Sequence, residues 1–254
     1  ILIFCGVLLT STLGCLISFQ LPIFLNELDK NELTFYLKGI IYGILGLLPT
    51  LIVSGIMLQI EHFFIRFLPV IFICAILIGL FFISFKTLIT VLTIFSKIVQ
   101  ILGYVFFFLL CLTFFFNMNF TNMTLIDEAL HIVFQMSIIV CGSLVFCEII
   151  LRNFSKQIEK AGKILQIDKY SVMGIILSFG TSIAMLPLFP KMNKKGKILN
   201  AAFSLSGAFV FGGQLGFIAS VNPQSVTWFI VVKITGGLLG IFIANIFEKQ
   251  SVTQ

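Results

Sequence analysis

Residues 171–189 read SVMGIILSFGTSIAMLPLF, an apolar segment that Gly180-Thr181-Ser182 interrupts near its centre. Lysine-rich loops lie on both sides of it, at 152–169 and at 190–197. Short loops rich in Lys and Arg stay on the cytoplasmic side of a membrane protein. If both loops are cytoplasmic, the segment enters the membrane and returns on the same side, which predicts a re-entrant hairpin at 171–189. A simple span is the alternative, since a helix of this length at about 1.5 Å per residue would cross the hydrocarbon core.

The composition places the chain among multispanning membrane proteins. Hydrophobic residues make up 59% of it, charged residues only 10%, and it has 31 Phe in 254 residues. The net charge of +6 comes from lysines in loops between apolar runs, where they set orientation and meet anionic headgroups. We therefore expect a lipid bilayer as partner and no nucleic acid.

A transmembrane helix needs about 20 apolar residues, and candidate segments of that kind follow one another along the whole chain. The predicted fold class is all-α: a polytopic transmembrane helix bundle of about 7–8 membrane segments, forming a single integral membrane domain over residues 1–254. The segments are roughly 1–25, 37–58, 67–85, 98–117, 129–151, 171–189, 198–219 and 225–247. Residues 86–97 are either an interfacial helix or an extension of their neighbours.

The distribution of Lys and Arg predicts the orientation of the bundle. If 152–169 lies inside, then 26–38 and 86–97 are also inside, and 59–66 and 117–128 are outside. The inside loops carry most of the cations, whereas 117–128 contains no Lys or Arg. This asymmetry follows the positive-inside rule.

The interruption at Gly180, Thr181 and Ser182 is the first candidate for a substrate site. Glycine frees the backbone, and hydroxyl side chains can satisfy freed carbonyl groups or bind a polar ligand. Broken helices at membrane depth build the substrate sites of many transporters. The alternative is that these small residues only allow close helix packing.

A second candidate lies in segment 198–219, where Gly212, Gly213 and Gln214 predict another break or a very close helix contact. Gln214 needs a hydrogen-bonding partner in hydrocarbon. Lys233 lies within segment 225–247, and a Lys inside a span is a functional candidate. Its alternative is snorkelling of the long side chain to the interface.

Other chemistry finds no support in the sequence. The six cysteines lie in apolar runs without metal-ligand spacing, so we expect packing residues, no metal site and no cofactor. No Ser–His–Asp or Cys–His set shares a depth, and there is no phosphate-binding loop, so we expect no catalytic residues and no enzyme.

From residue 152 on, the chain resembles the ethanolamine utilisation protein EutH family of ethanolamine permeases. The resemblance rests on motifs around the second lysine loop and in the two segments that follow it: Gly162-Lys163-Ile164-Leu165, Met192, Gly196-Lys197-Ile198-Leu199-Asn200-Ala201-Ala202-Phe203, Ala208-Phe209, Gly212, Leu215-Gly216-Phe217, Lys233 and Gly236-Gly237. It covers nearly the whole chain, which looks like the C-terminal two-thirds of a member. We therefore expect an N-terminally truncated sequence.

The resemblance implies a multi-pass protein of the bacterial inner (plasma) membrane that takes up ethanolamine for ethanolamine utilisation. The candidate site departs from the family at two places. This chain has Gly213-Gln214 where the family has Asp-His. It has Thr181-Ser182 and Ala184 where the family has two asparagines followed by a proline. The function hypothesis is a transporter or facilitator for a small polar amine. The alternative is a non-transporting membrane subunit or a degenerate fragment of such a permease, and homo-oligomerisation stays open.

Overall fold

The computed structural model describes residues 14–16, 20–57, 63–116, 118, 120 and 122–250. Over these residues the regular structure is entirely helical. The α-helices are α1 Leu21–Glu27, α2 Lys30–Met57, α3 Phe63–Ile83, α4 Phe85–Phe116, α5 Met123–Asn153, α6 Ser155–Leu165, α7 Lys169–Gly180, α8 Lys194–Gly207, α9 Gly213–Val221 and α10 Val226–Gln250. Two 3-10 segments cover Ser182–Lys191 and Pro223–Ser225.

Four stretches of the described chain are long and apolar enough to cross a membrane: Lys30–Ile56, Lys86–Phe116, Ile126–Asn153 and Pro223–Glu248. They lie in or around α2, α4, α5 and α10, and they confirm the all-helical membrane class. The larger number of 7–8 membrane segments stays a prediction. Much of the predicted segment 1–25 lies outside the described residues.

The structure decides between the two alternatives for residues 86–97 and corrects the expectation for residues 152–169. Residues 86–97 are an extension of their neighbour, because α4 runs without interruption from Phe85 to Phe116. The lysine-rich stretch 152–169, expected as a loop, contains the amphipathic helix α6. It is helical because Ile158 and Gly162, four residues apart, lie on one buried face while its lysines stay on the other.

The centre of the bundle is formed by α2, α8 and α10, which pack against one another. Small residues make this contact possible. A Cβ built on Gly46 would overlap the backbone of Gly240, and one built on Gly43 would lie 2.7 Å from the carbonyl oxygen of Ala202. Such close approach of backbones is how helices associate in lipid, where apolar burial alone gives little preference.

Ion pairs join the three central helices at one end. Lys197 Nζ on α8 lies 2.5 Å from Glu32 Oε1 on α2. Lys38 Nζ on α2 lies 2.7 Å from Glu248 Oε1 on α10. The start of α2, the start of α8 and the end of α10 therefore share one end of the bundle.

Segment 171–189 is divided between α7 and the 3-10 segment Ser182–Lys191, which pack against each other. The two flanks of this pair meet: the backbone N–H of Asn193 donates to Asp168 Oδ2 at 2.8 Å, and Lys195 Nζ lies 3.4 Å from Gln166 Oε1. Both lysine-rich stretches therefore lie at the same end of the described bundle.

Replacing Asp168 by alanine should weaken this contact between the two lysine-rich stretches. One carboxylate oxygen of Asp168 accepts from both the N–H and the hydroxyl of Ser171 and so caps α7, while the other accepts from Asn193. Losing a helix cap and the bond to Asn193 should cost about 1–2 kcal/mol of unfolding free energy, measured by thermal unfolding in detergent. Glu159→Ala removes an exposed acid from α6 and should stay within about 0.5 kcal/mol. Equal losses of unfolding free energy in Asp168→Ala and Glu159→Ala would contradict the role of Asp168 in joining the two lysine-rich stretches.

Candidate functional site

The first break separates α7 from the 3-10 segment. The last α7 residue is Gly180, and Thr181 then adopts an extended conformation with φ −159° and ψ 133°. Its hydroxyl accepts from the N–H of Ile183 at 3.3 Å and caps the 3-10 segment. Pro187 and Pro190, which have no N–H to donate, lie within that segment and disfavour an α-helix there.

The second break separates α8 from α9. Helix α8 ends at Gly207, Ala208 is extended, and Phe209 has a positive φ of 60°. A positive φ is uncommon for a residue with a bulky side chain, and the surrounding structure must hold it. The next helix begins at Gly213.

The two breaks are hydrogen-bonded to each other. The N–H of Phe209 donates to the carbonyl oxygen of Ser178, and the N–H of Phe211 donates to that of Phe179, both at 2.9 Å. The last carbonyl groups of an α-helix have no partner within the helix, so the backbone of the second break satisfies those of α7. Gly212 packs directly against the carbonyl oxygen of Gly180, where a Cβ would overlap it.

A cavity of about 630 Å³ lies beside this junction, within the range typical of small-molecule sites. Residues of both breaks line it: Thr181, Ile183, Ala184, Phe209, Gly213 and Gln214. The remaining lining residues are Met136, Val140 and Leu144 from α5, together with Cys15. The surface that the cavity exposes is therefore apolar, and the polar atoms of Thr181 and Gln214 that bond Ile183 and Lys233 lie behind it.

Lys233 lies directly behind the cavity wall. Its side chain is 1% exposed, and its Nζ donates to Gln214 Oε1 at 2.6 Å. The same Nζ lies 5.5 Å from the centroid of the Phe229 ring. The side chain therefore does not reach toward an interface, and snorkelling does not describe it.

Polar groups continue from Gln214 into the bundle. Cys15 also lines the cavity, close to both Gln214 and Gln20. The Tyr36 hydroxyl on α2 donates to Gln20 Oε1 at 3.1 Å, and its fully buried ring stacks on that of Phe24. The candidate site is thus joined to the central helices through side chains and not only through the backbone.

The structure brings most of the sequence-predicted site residues to one place. Thr181, Gly213 and Gln214 line the cavity, Gly180 and Gly212 form the backbone junction, and Lys233 lies behind Gln214. Ser182 is the exception. It is fully buried, does not line the cavity, and its hydroxyl has no hydrogen-bond partner among the described residues.

Sequence reasoning missed Phe209, Cys15 and the three α5 residues of the cavity wall. The sequence indicates a packing residue at Cys15, and Met136, Val140 and Leu144 are ordinary apolar residues of a span. No local signal marks them, because only the packing of α5 against α7 and α9 brings them to the site. Among the described residues, no three His, Cys, Asp or Glu side chains converge in a way that could hold a metal ion.

Comparison with known proteins identifies relatives. The family described as "Ethanolamine utilisation protein, EutH" matches residues 1–247. The chain is 29% identical to "Probable ethanolamine permease EutH" of Listeria monocytogenes, over 98% of this chain and 69% of that protein. It is 25% identical to "Uncharacterized protein YxeR" of Bacillus subtilis, over 93% of this chain and 65% of that protein. A third relative, "Probable ethanolamine permease EutH" of Salmonella typhimurium, is 28% identical over 46% of this chain and 29% of its own length. No solved structure matches the chain.

Proposed function

This chain belongs to the EutH family of ethanolamine utilisation proteins, and from that premise we propose that it carries a small polar amine, ethanolamine first of all, across the bacterial plasma membrane. Residues 1–254 act as one transporter domain in this proposal. Relatives named as probable ethanolamine permeases support the substrate. The chain spans about two-thirds of the two relatives that it matches over most of its length.

The cavity between the two helix breaks is the observation that carries the proposal. Non-helical backbone at membrane depth is tolerated where it is buried in protein or lines a cavity, and transporters place substrates at such broken helices. Thr181 and Gln214 are the polar residues of the cavity lining, and in this proposal their side chains turn to contact the substrate. A small amino alcohol needs that combination, with a few hydrogen bonds to fix its orientation and apolar walls to exclude water.

The arrangement of the lysine-rich stretches supports the proposed topology. Both meet at the end of the bundle where α2 begins and α10 ends. We place this end in the cytoplasm, because cytoplasmic loops carry the excess of Lys and Arg. The pair formed by α7 and the 3-10 segment then enters from the cytoplasm as a re-entrant hairpin, with Thr181 at its tip. The exposed Phe-rich face of α4 and the exposed apolar face of α5 contact lipid in this arrangement.

Gln214→Ala should reduce substrate uptake strongly. The change removes a side chain that lines the cavity and leaves the buried Lys233 without its amide acceptor. We expect the initial rate of labelled ethanolamine uptake into proteoliposomes to fall by about tenfold, the equivalent of one strong hydrogen bond to a charged or polar partner. The exposed Gln157→Ala on α6 is the matched control and should transport as the wild type does.

The wild-type protein itself provides the decisive measurement. We expect saturable uptake above that of protein-free liposomes, and competition by unlabelled ethanolamine. Wild-type uptake that is indistinguishable from protein-free liposomes would exclude the transporter and favour a non-transporting membrane subunit. Thermal unfolding of Gln214→Ala in detergent shows whether a reduced uptake rate reflects loss of the Gln214 side chain or loss of the folded structure.

A further inference from the structure

The amphipathic helix α6 lies directly after a membrane span. The candidate span Ile126–Asn153 ends where α5 ends, and α6 begins at Ser155, with only Phe154 between them. Helix α6 then packs back against α7 instead of continuing away from the bundle. A short helix in this position lies at the level of the lipid headgroups, on whichever side of the membrane this end is.

The lysines of α6 form one row. Lys156, Lys160 and Lys163 are spaced four and three residues apart, so their side chains project from the same side of the helix. This side is opposite the buried face that carries Ile158 and Gly162. All three lysines are exposed, and none of them forms an ion pair with a residue that the structure describes. The helix therefore presents three cations side by side at headgroup level.

The second lysine-rich stretch extends this cationic surface. Asn193 and Lys195 are hydrogen-bonded to the residues that directly follow α6, and these bonds place residues 190–197 beside that helix. Lys191 and Lys194 are exposed there, and the stretch contains no Asp or Glu. The folded chain thus joins cations that are far apart in the sequence into one surface.

Large apolar side chains lie beside these cations. Phe154 is 47% exposed and Ile164 is 80% exposed. Helices that bind a membrane surface combine the two kinds of side chain, because the lysines reach the phosphates while the apolar groups enter the boundary of the acyl chains. Protein interfaces rely more on Trp, Tyr and Arg, and the only arginine of the two stretches, Arg152, is already paired with Glu148. The chemistry of this surface therefore fits lipid better than an acidic protein.

We propose that α6 and residues 190–197 form one binding surface for the headgroups of anionic phospholipids. The three lysines of α6 supply one row of ammonium groups, and Lys191 and Lys194 supply the other. Phosphates bound between them hold both flanks of the pair formed by α7 and the 3-10 segment at the membrane surface. This role goes beyond the proposed transport function and does not depend on it.

The test counts the lipids bound to the complete chain in nonionic detergent by native mass spectrometry. The probes are phosphatidylglycerol, which is anionic, and phosphatidylcholine with the same acyl chains, which has no net charge. One lysine near an anionic surface contributes about fivefold in binding. We therefore expect phosphatidylglycerol to bind at least about tenfold more tightly than phosphatidylcholine. The triple variant Lys156→Gln, Lys160→Gln, Lys163→Gln should lose most of this preference, and Lys191→Gln with Lys194→Gln should lower it several-fold.

Two further variants control for total charge and for the chemistry of the cation. Lys30→Gln, Lys86→Gln and Lys97→Gln together remove the same charge from exposed positions outside both stretches, and this variant should keep the wild-type preference. Arginine in place of the three α6 lysines keeps the charge and should keep the preference too. Thermal unfolding shows which variants are folded, and the pair Lys191→Gln with Lys194→Gln carries the test if the triple α6 variant is not.

Three results would overturn the proposal. Equal binding of the two lipids by the wild type would exclude the lipid surface and favour an acidic protein partner. Equal losses in the two triple glutamine variants would show that total charge, not this surface, determines the preference. Displacement of phosphatidylglycerol by an equal concentration of inorganic phosphate would indicate a site for small anions. Because no uptake is measured, each of these results leaves the transport function standing.

Discussion

Gly212→Ala is expected to destabilise the protein by about 3 kcal/mol and to abolish uptake, because overpacking against a backbone atom cannot be relieved by a change of rotamer. A Cβ at this position would overlap the carbonyl oxygen of Gly180. To make room, the second break must move away from α7. That movement would stretch the bonds from Phe209 to Ser178 and from Phe211 to Phe179, and would leave carbonyl groups at the end of α7 without partners.

The adjacent glycine provides the matched control for this prediction. A Cβ at Gly213 would meet Met136 Cε at 3.1 Å and Val140 Cγ2 at 3.6 Å. The nearer atom is the end of a flexible side chain, which can shift at little cost. Gly213→Ala should therefore lose less than about 1 kcal/mol, measured by thermal unfolding of both variants in detergent. Equal stability of Gly212→Ala and Gly213→Ala would show that the two breaks do not meet as described.

Lys197→Met is expected to cost about 3–5 kcal/mol of unfolding free energy, because it leaves a buried carboxylate without its countercharge. The side chains of Lys197 and Glu32 are only 8% and 18% exposed, and the second oxygen, Glu32 Oε2, has no hydrogen-bond partner among the described residues. The pair joins the first turns of α2 and α8, so its loss should also loosen the central helices at this end.

A double-mutant cycle separates the loss of the ion pair from the cost of leaving the Glu32 carboxylate without its countercharge. Replacing both residues, as Glu32→Gln with Lys197→Met, removes the buried charge and should recover most of the lost stability. Arg152→Met is the exposed counterpart, since Arg152 and Glu148 are 77% and 54% exposed, and it should cost less than about 1 kcal/mol. The prediction fails if the double variant is no more stable than Lys197→Met alone.

Local sequence features predict the first helix break closely and the second only approximately. Helix α8 already ends at Gly207, and Gly213 and Gln214 lie in α9. Gly180 and Thr181 interrupt an apolar run that ends in two prolines, and glycines crowd residues 212–216. Each of these signals acts on the backbone within a few residues of itself, through missing Cβ atoms or missing N–H donors. Residues 86–97 remained ambiguous, because an apolar stretch with lysines at both ends fits an interfacial helix as well as the first turns of a long one.

Partners far apart in the sequence could not be predicted in this way. Nothing local indicates that Lys233 meets Gln214, that Lys197 meets Glu32, or that Phe209 satisfies a carbonyl group of α7. The snorkelling alternative for Lys233 was reasonable from its depth along a helix, and only the packing of α10 against α9 decides against it.

The sequence by itself determined that this is an all-helical membrane protein, that its helices are interrupted near Gly180 and near Gly212, and that lysine-rich stretches flank the first interruption. These properties depend on hydrophobicity, chain geometry and charge, which are local quantities. Only the tertiary structure decided that the two breaks share one junction, that the lysine-rich stretches meet at one end, and that this junction, α5 and Cys15 line a partly open cavity with Lys233 behind its wall. The physical reason is that freed carbonyl groups and buried polar side chains must find partners in a nonaqueous interior. Which partners they find depends on how separate helices pack.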